Sequence, residues 1–356
     1  MSSFLSLRIP SPRVRPAPIA GCVGPLLLVT LLLATPAAAD PRQWAREGWR
    51  TDFSQATVPL DEIVSGGPPR DGIPSIDDPL FAPAGDVDLP GREPVIVFPL
   101  GEDARAYPLR VLMWHEIAND VVDGMPVAVT YCPLCNAAIV FDRRVDGRTL
   151  EFGTTGKLRH SDLVMYDRET ESWWQQFTGE AIAGALAGQE LAMLPSRVAP
   201  FAEFLTEHPD GSVLVPRDPP AKPYGRNPYV GYDGRAVPYG LFLGQPPDGL
   251  PAMAHVVVAR GPDGDAAVAL AHVAEHGVVA HEGLTFAWRP GKASALDTAR
   301  IADGRDLGFV VVTDADGAPV VHDTTFAFAL DAFDPEAIVL TGEGPIRLRD
   351  GAPAGG

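Results

Sequence analysis

Apolar residues along this chain come in short runs broken by Gly, Pro and Asp, the spacing expected of a strand-rich protein. Pro94-Val95-Ile96-Val97-Phe98-Pro99-Leu100 reads as a buried strand, Gly101-Glu102-Asp103 as a turn, and Ala104-Arg105-Ala106-Tyr107 as the return before Pro108. Leu109 to Ala118 predicts a short helix with Leu109, Leu112, Met113 and Ile117 on one side. Val127–Tyr131 is a strand that runs straight into Cys132. Ala138–Val145 and Thr149–Phe152 flank Asp146-Gly147, a strong hairpin signal. A second hairpin joins Leu163–Asp167 to Trp173–Phe177. Neighbouring Trp173 and Trp174 then point to opposite faces, one into the core and the other free to line a binding surface.

Punctuation divides the chain further. Residues 40–90 have the composition of an extended Pro/Gly-rich arm, and 91–215 form a first β-rich unit. Residues 216–250, with Pro219-Pro220, Arg226-Asn227-Pro228 and Gln245-Pro246-Pro247, read as a long loop or linker. Strand signals resume at His255–Val258 and define a second unit, 251–345, before a flexible tail at 346–356. An internal repeat links the units: shifting Val121-Val122 onto Val278-Val279 also brings Pro133 onto Pro290 and Asp146-Gly147-Arg148 onto Asp303-Gly304-Arg305. That register replaces Cys132 by Arg289 and Cys135 by Lys292. The expected fold is α+β and β-rich, with two related β units, the second degenerate and lacking cysteine.

Charge and the N-terminus narrow the classes of function. The 356 residues carry a formal net charge of -18, which repels phosphate backbones and argues against a nucleic-acid partner. Arg8, Arg13 and Arg15 precede the apolar run Pro25–Ala34, and Ala37-Ala38-Ala39 follow it, the pattern of a signal peptide over residues 1–39 cleaved near Ala39. No later segment is long and apolar enough to span a bilayer. The expectation is an exported, periplasmic or extracellular protein, in a compartment where disulfides persist.

Chemistry concentrates at Thr130-Tyr131-Cys132-Pro133-Leu134-Cys135-Asn136, which holds the two cysteines beyond the leader. Just before it comes Trp114-His115-Glu116-Ile117-Ala118-Asn119-Asp120. A Cys-x-x-Cys pair suits thiol redox work, but the strand after it is not the activating helix of a thioredoxin-type site. The same turn can present two thiolates to zinc or copper, with His115 or His160 as a further ligand and Glu116 or Asp120 orienting the histidine. Cys132, Cys135, His115, Glu116 and Asp120 are the candidate catalytic residues, and Asn136, Asp162, Arg168 and Trp173 the ancillary ones. A redox or metal-delivery partner protein fits either reading. Two other classes stay open: a binding or scaffold protein with an inert disulfide, and a small-molecule enzyme using His115 and nearby carboxylates.

Tyr131-Cys132-Pro133-Leu134-Cys135-Asn136 resembles a motif of the DUF3179 family of bacterial and archaeal proteins. The resemblance extends through Asp71-Gly72-Ile73-Pro74, Trp114–Ile117, Ser161–Arg168, Trp173-Trp174-Gln175 and Tyr224–Tyr229. It implies an exported protein built around a cysteine pair, and names no reaction.

Overall fold

The computed structural model describes residues 40–261 and 264–351, so the signal-peptide reading of 1–39 lies outside the described residues. The apolar runs form strands because alternating Val, Ile and Phe fill the space between sheets. Pro94–Leu100 pairs antiparallel with Asp103–Pro108, and Met125–Cys132 with Ala137–Asp142. Arg144–Val145 and Arg148–Thr149 form the ribbon around Asp146-Gly147. The helix expected from Leu109 to Ala118 is a single turn, Leu109–Leu112. Glu116 turns the chain in a left-handed conformation, φ 59°, and Ile117–Val122 continues as a strand.

Two sheets position the site. The first has four antiparallel strands in the order Met193–Leu194, Ala137–Asp142, Met125–Cys132, Ile117–Val122. The second has five, ordered Ile63–Ser65, Phe152–Arg159, Asp162–Asp167, Trp173–Gln175, Ala181–Ala183. Two further five-stranded sheets are mixed, each with one parallel pair, and a three-stranded sheet completes the larger set. Residues 40–90 supply Ile63–Ser65 and Leu80–Pro83 to two of these sheets, and Trp44 and Trp49 pack against Trp173 at tilted and edge-on angles.

The β-rich α+β class holds, but the five larger sheets do not form two related units. One core joins both halves of the chain, packing Tyr131, Cys132 and Phe141 with Leu296, Ile301, Phe326 and Phe328. The register of the supposed repeat also fails on pairing. Phe152 pairs with Asp167, whereas Phe309 pairs with Arg289 in a different sheet. The Asp146-Gly147 ribbon falls on a 3-10 turn, Ile301–Asp303. Arg289 and Lys292 are therefore not the counterparts of the two cysteines. The matching letters reflect turn and strand chemistry common to many hairpins.

Candidate functional site

Cys132 ends its strand opposite Ala137, and Pro133-Leu134-Cys135-Asn136 closes the turn between them. Asn136 adopts φ 56°, a left-handed conformation that Asn tolerates better than most residues. Its Nδ2 donates to the Thr324 carbonyl at 2.9 Å. The turn's own carbonyls are held from outside: Tyr232 Oη donates to Leu134 O at 3.0 Å, and Thr325 Oγ1 to Cys135 O at 2.8 Å. A turn pinned from two distant segments keeps both sulfurs aimed inward, where Cys132 is 2% and Cys135 0% exposed. Both are free thiols.

Asp162 meets them from the neighbouring sheet. It follows the left-handed pair His160 and Ser161, which turns the chain sharply between Phe152–Arg159 and Asp162–Asp167. Asp162 Oδ2 accepts from Gln175 Nε2 at 2.6 Å and from the Phe177 amide at 2.9 Å, while buried Oδ1 has no partner. The Cys132 and Cys135 sulfurs and an Asp162 oxygen all lie within 4.8 Å of one another. Bonds of about 2.0–2.3 Å place the ligands of one zinc ion about 3–4 Å apart, so this spacing can hold a metal after small side-chain movements.

Electrostatics at the cluster are one-sided. Burial pushes the Cys132 thiol up and the Cys135 thiol well up from their ordinary values, with the Asp162 charge adding to both. Burial raises the Asp162 carboxyl to about 7. Glu116, close by, is raised to about 8 by burial and then by Asp162. Four acidic groups thus share a site from which water is largely excluded, which costs free energy unless a cation or protons neutralise them.

One side of the site opens into a cavity of about 710 Å³, the space open to solvent included, which Glu116, Cys132 and Leu134 line. Tyr229, Tyr239 and Leu241, from the segment expected to be a linker, also line it. Tyr239 stacks on Tyr232 with ring centres 4.4 Å apart, tying that segment to the cysteine turn. Gly156 sits at a register shift in its strand with φ 71°; a Cβ there would lie 2.0 Å from Pro68 O. Only glycine lets the Pro68 segment seat against this strand as another part of the lining.

The other expected residues lie elsewhere. His115 lines a separate pocket, its ring nitrogens 2.8 Å from Pro74 O and 2.8 Å from Tyr224 Oη, which leaves neither free for an ion. His160 reaches Glu62 at 3.2 Å and packs edge-on against Phe333, outside the cluster. Asp120 is bound by Arg105 at 2.6 Å and Tyr107 Oη at 2.6 Å, and orients no histidine. Arg168 holds Ser75 and Asp77, pinning the outer segment. Trp173 and Trp174 are both fully buried, and neither lines the cavity. The strand is sandwiched, so both of its faces are core.

Gln175, Tyr229, Tyr232 and Tyr239 were not singled out from sequence. Gln175 follows the tryptophans on a buried strand, and a buried amide needs a partner. Tyr224, Tyr229, Tyr232 and Tyr239 recur through a Pro/Gly-rich stretch, a signal that the loop packs against something.

Comparison with known proteins adds one finding. The model of the family described as "Protein of unknown function (DUF3179)" matches residues 70–337. No curated protein and no solved structure matches the chain.

Proposed function

The chain belongs to the DUF3179 family, and on that premise we propose that Cys132, Cys135 and Asp162 bind one borderline-to-soft metal ion, zinc or copper, open toward the cavity. The carrying observation is the convergence of two thiols and an oxygen with no protein partner, with Glu116 beside them. Lys157 is the one cation among the cavity's lining residues, and it is paired with Glu47 at 2.7 Å. A bound cation would reverse the site's acid–base balance, making thiolates and carboxylate the stable forms. The carboxylate favours zinc, because copper(I) prefers sulfur ligands alone.

Thiol redox chemistry has less support. No helix begins at the motif, and both thiols are shifted away from the reactive thiolate. Among the described residues no helix is long and apolar enough to cross a membrane. The basic and apolar N-terminal stretch supports export, where a metal would keep the pair reduced. A metal-delivery partner would approach through the cavity mouth.

Protein purified without chelator should carry one metal ion per chain and yield two titratable thiols once the ion is removed. Cys132→Ser with Cys135→Ser, or Asp162→Asn, should abolish that stoichiometry. A metal-free protein with its cysteines joined in a disulfide would refute the reading.

A further inference from the structure

The cavity beside the cluster has features of a binding site in its own right. Its lining is mainly apolar, with Leu134, Leu158, Leu163 and Leu241 facing Tyr229 and Tyr239. Its polar groups divide into those already engaged and those left open. Thr154 Oγ1 donates to Ile73 O at 2.7 Å, and Lys157 is bound to Glu47 at 2.7 Å. Glu116 differs: only 9% exposed, it lines the cavity, and no protein donor among the described residues reaches its carboxyl. A carboxyl that faces the cavity with no protein partner keeps hydrogen-bonding capacity for a ligand to fill.

We propose that this cavity binds a small, largely apolar molecule carrying one hydrogen-bond donor, which it presents to Glu116 beside Cys132. The inference rests on the metal reading, because it places the ligand's polar end next to the ion. Charge complementarity sets the class. An anion would meet Glu116 and the Cys132 sulfur in the lining, and beyond them an ion whose two thiolates and carboxylate outweigh a divalent charge, with Lys157 already paired. A donor such as a hydroxyl satisfies Glu116, and an aromatic or aliphatic body replaces water along the leucine and tyrosine walls.

The test uses three probes of nearly equal size on the full protein as purified: benzyl alcohol, toluene and benzoate, followed by ligand-observed NMR. Benzyl alcohol should bind in the millimolar range, and toluene and benzoate about tenfold more weakly, the factor one hydrogen bond supplies. Glu116→Met should erase the preference of benzyl alcohol over toluene. Leu241→Trp, which fills the cavity from a lining residue outside the metal cluster, should abolish binding of all three with metal content unchanged. Benzoate binding as tightly as benzyl alcohol, no binding by any probe, or indifference to Leu241→Trp would overturn the proposal. Metal content measured on the same samples shows separately whether the metal reading has failed.

Discussion

Two polar clusters adjoin the segment 115–122, and they are in opposite states. In one, Asp120 accepts from Arg105, from Tyr107 Oη at 2.6 Å and from the Val121 amide at 2.7 Å. His115 is likewise satisfied by Pro74 and Tyr224. In the other, buried Asp162 Oδ1 has no hydrogen-bond partner, two thiols stand beside it, and Glu116 opens on the cavity. Both clusters are largely withdrawn from water. A closed cluster holds the fold together, because every buried group has its partner. An open cluster keeps capacity for something the chain does not supply.

The sharpest way to break this contrast is to open the closed cluster. Asp120→Ala leaves Tyr107 Oη without its acceptor and Arg105 with Asp103 alone, and should cost about 3 kcal/mol in a denaturant melt. Metal content per folded molecule should not change. Conversely, Gln175→Ala removes the donor that orients Asp162, and should weaken metal binding about 10- to 100-fold in a chelator competition. A smaller stability loss should accompany it.

Acidity gives a third discriminator. The folded-state values of Asp162 and Glu116 are raised, so the metal-free fold binds protons more tightly than the unfolded chain does. Their contribution is therefore fully present below the unfolded values near 4 and is lost as pH rises toward 7 and 8. The melting temperature of chelator-treated protein should fall across that window. Asp162→Asn should flatten the lower part of the fall. With metal present the trend should reverse, since ion binding needs deprotonated ligands. The smallest effect is expected of His115→Ala: about 1 kcal/mol from lost hydrogen bonds, and an unchanged metal stoichiometry.

The same contrast shows what sequence can reveal. Strand positions were readable because short continuous apolar runs bounded by turn residues mark strands buried on both faces, as at Pro94–Leu100 and Met125–Cys132. The cysteine turn was readable because Cys-Pro-Leu-Cys-Asn has few other uses. His115 was misleading: the Glu116 carbonyl accepts from the Tyr131 amide, yet the His115 ring lies in a different pocket, bonded to Pro74 and Tyr224. Asp162 is a weaker signal than His115 in the sequence, because nothing local reveals that its strand lies beside the cysteine turn. The tyrosine wall was missed for a related reason. A Pro/Gly-rich composition reports turns, and Tyr232 bonding to Leu134 O is a contact between segments far apart in the chain.

X-ray absorption at the metal edge of the protein, purified without chelator, addresses the central claim most directly. The expected spectrum shows two sulfur neighbours near 2.3 Å and at least one oxygen at about 2.0–2.2 Å, with the sulfur signal gone in the double serine variant. A shell of nitrogen and oxygen alone, or a sulfur signal that survives both substitutions, would contradict it.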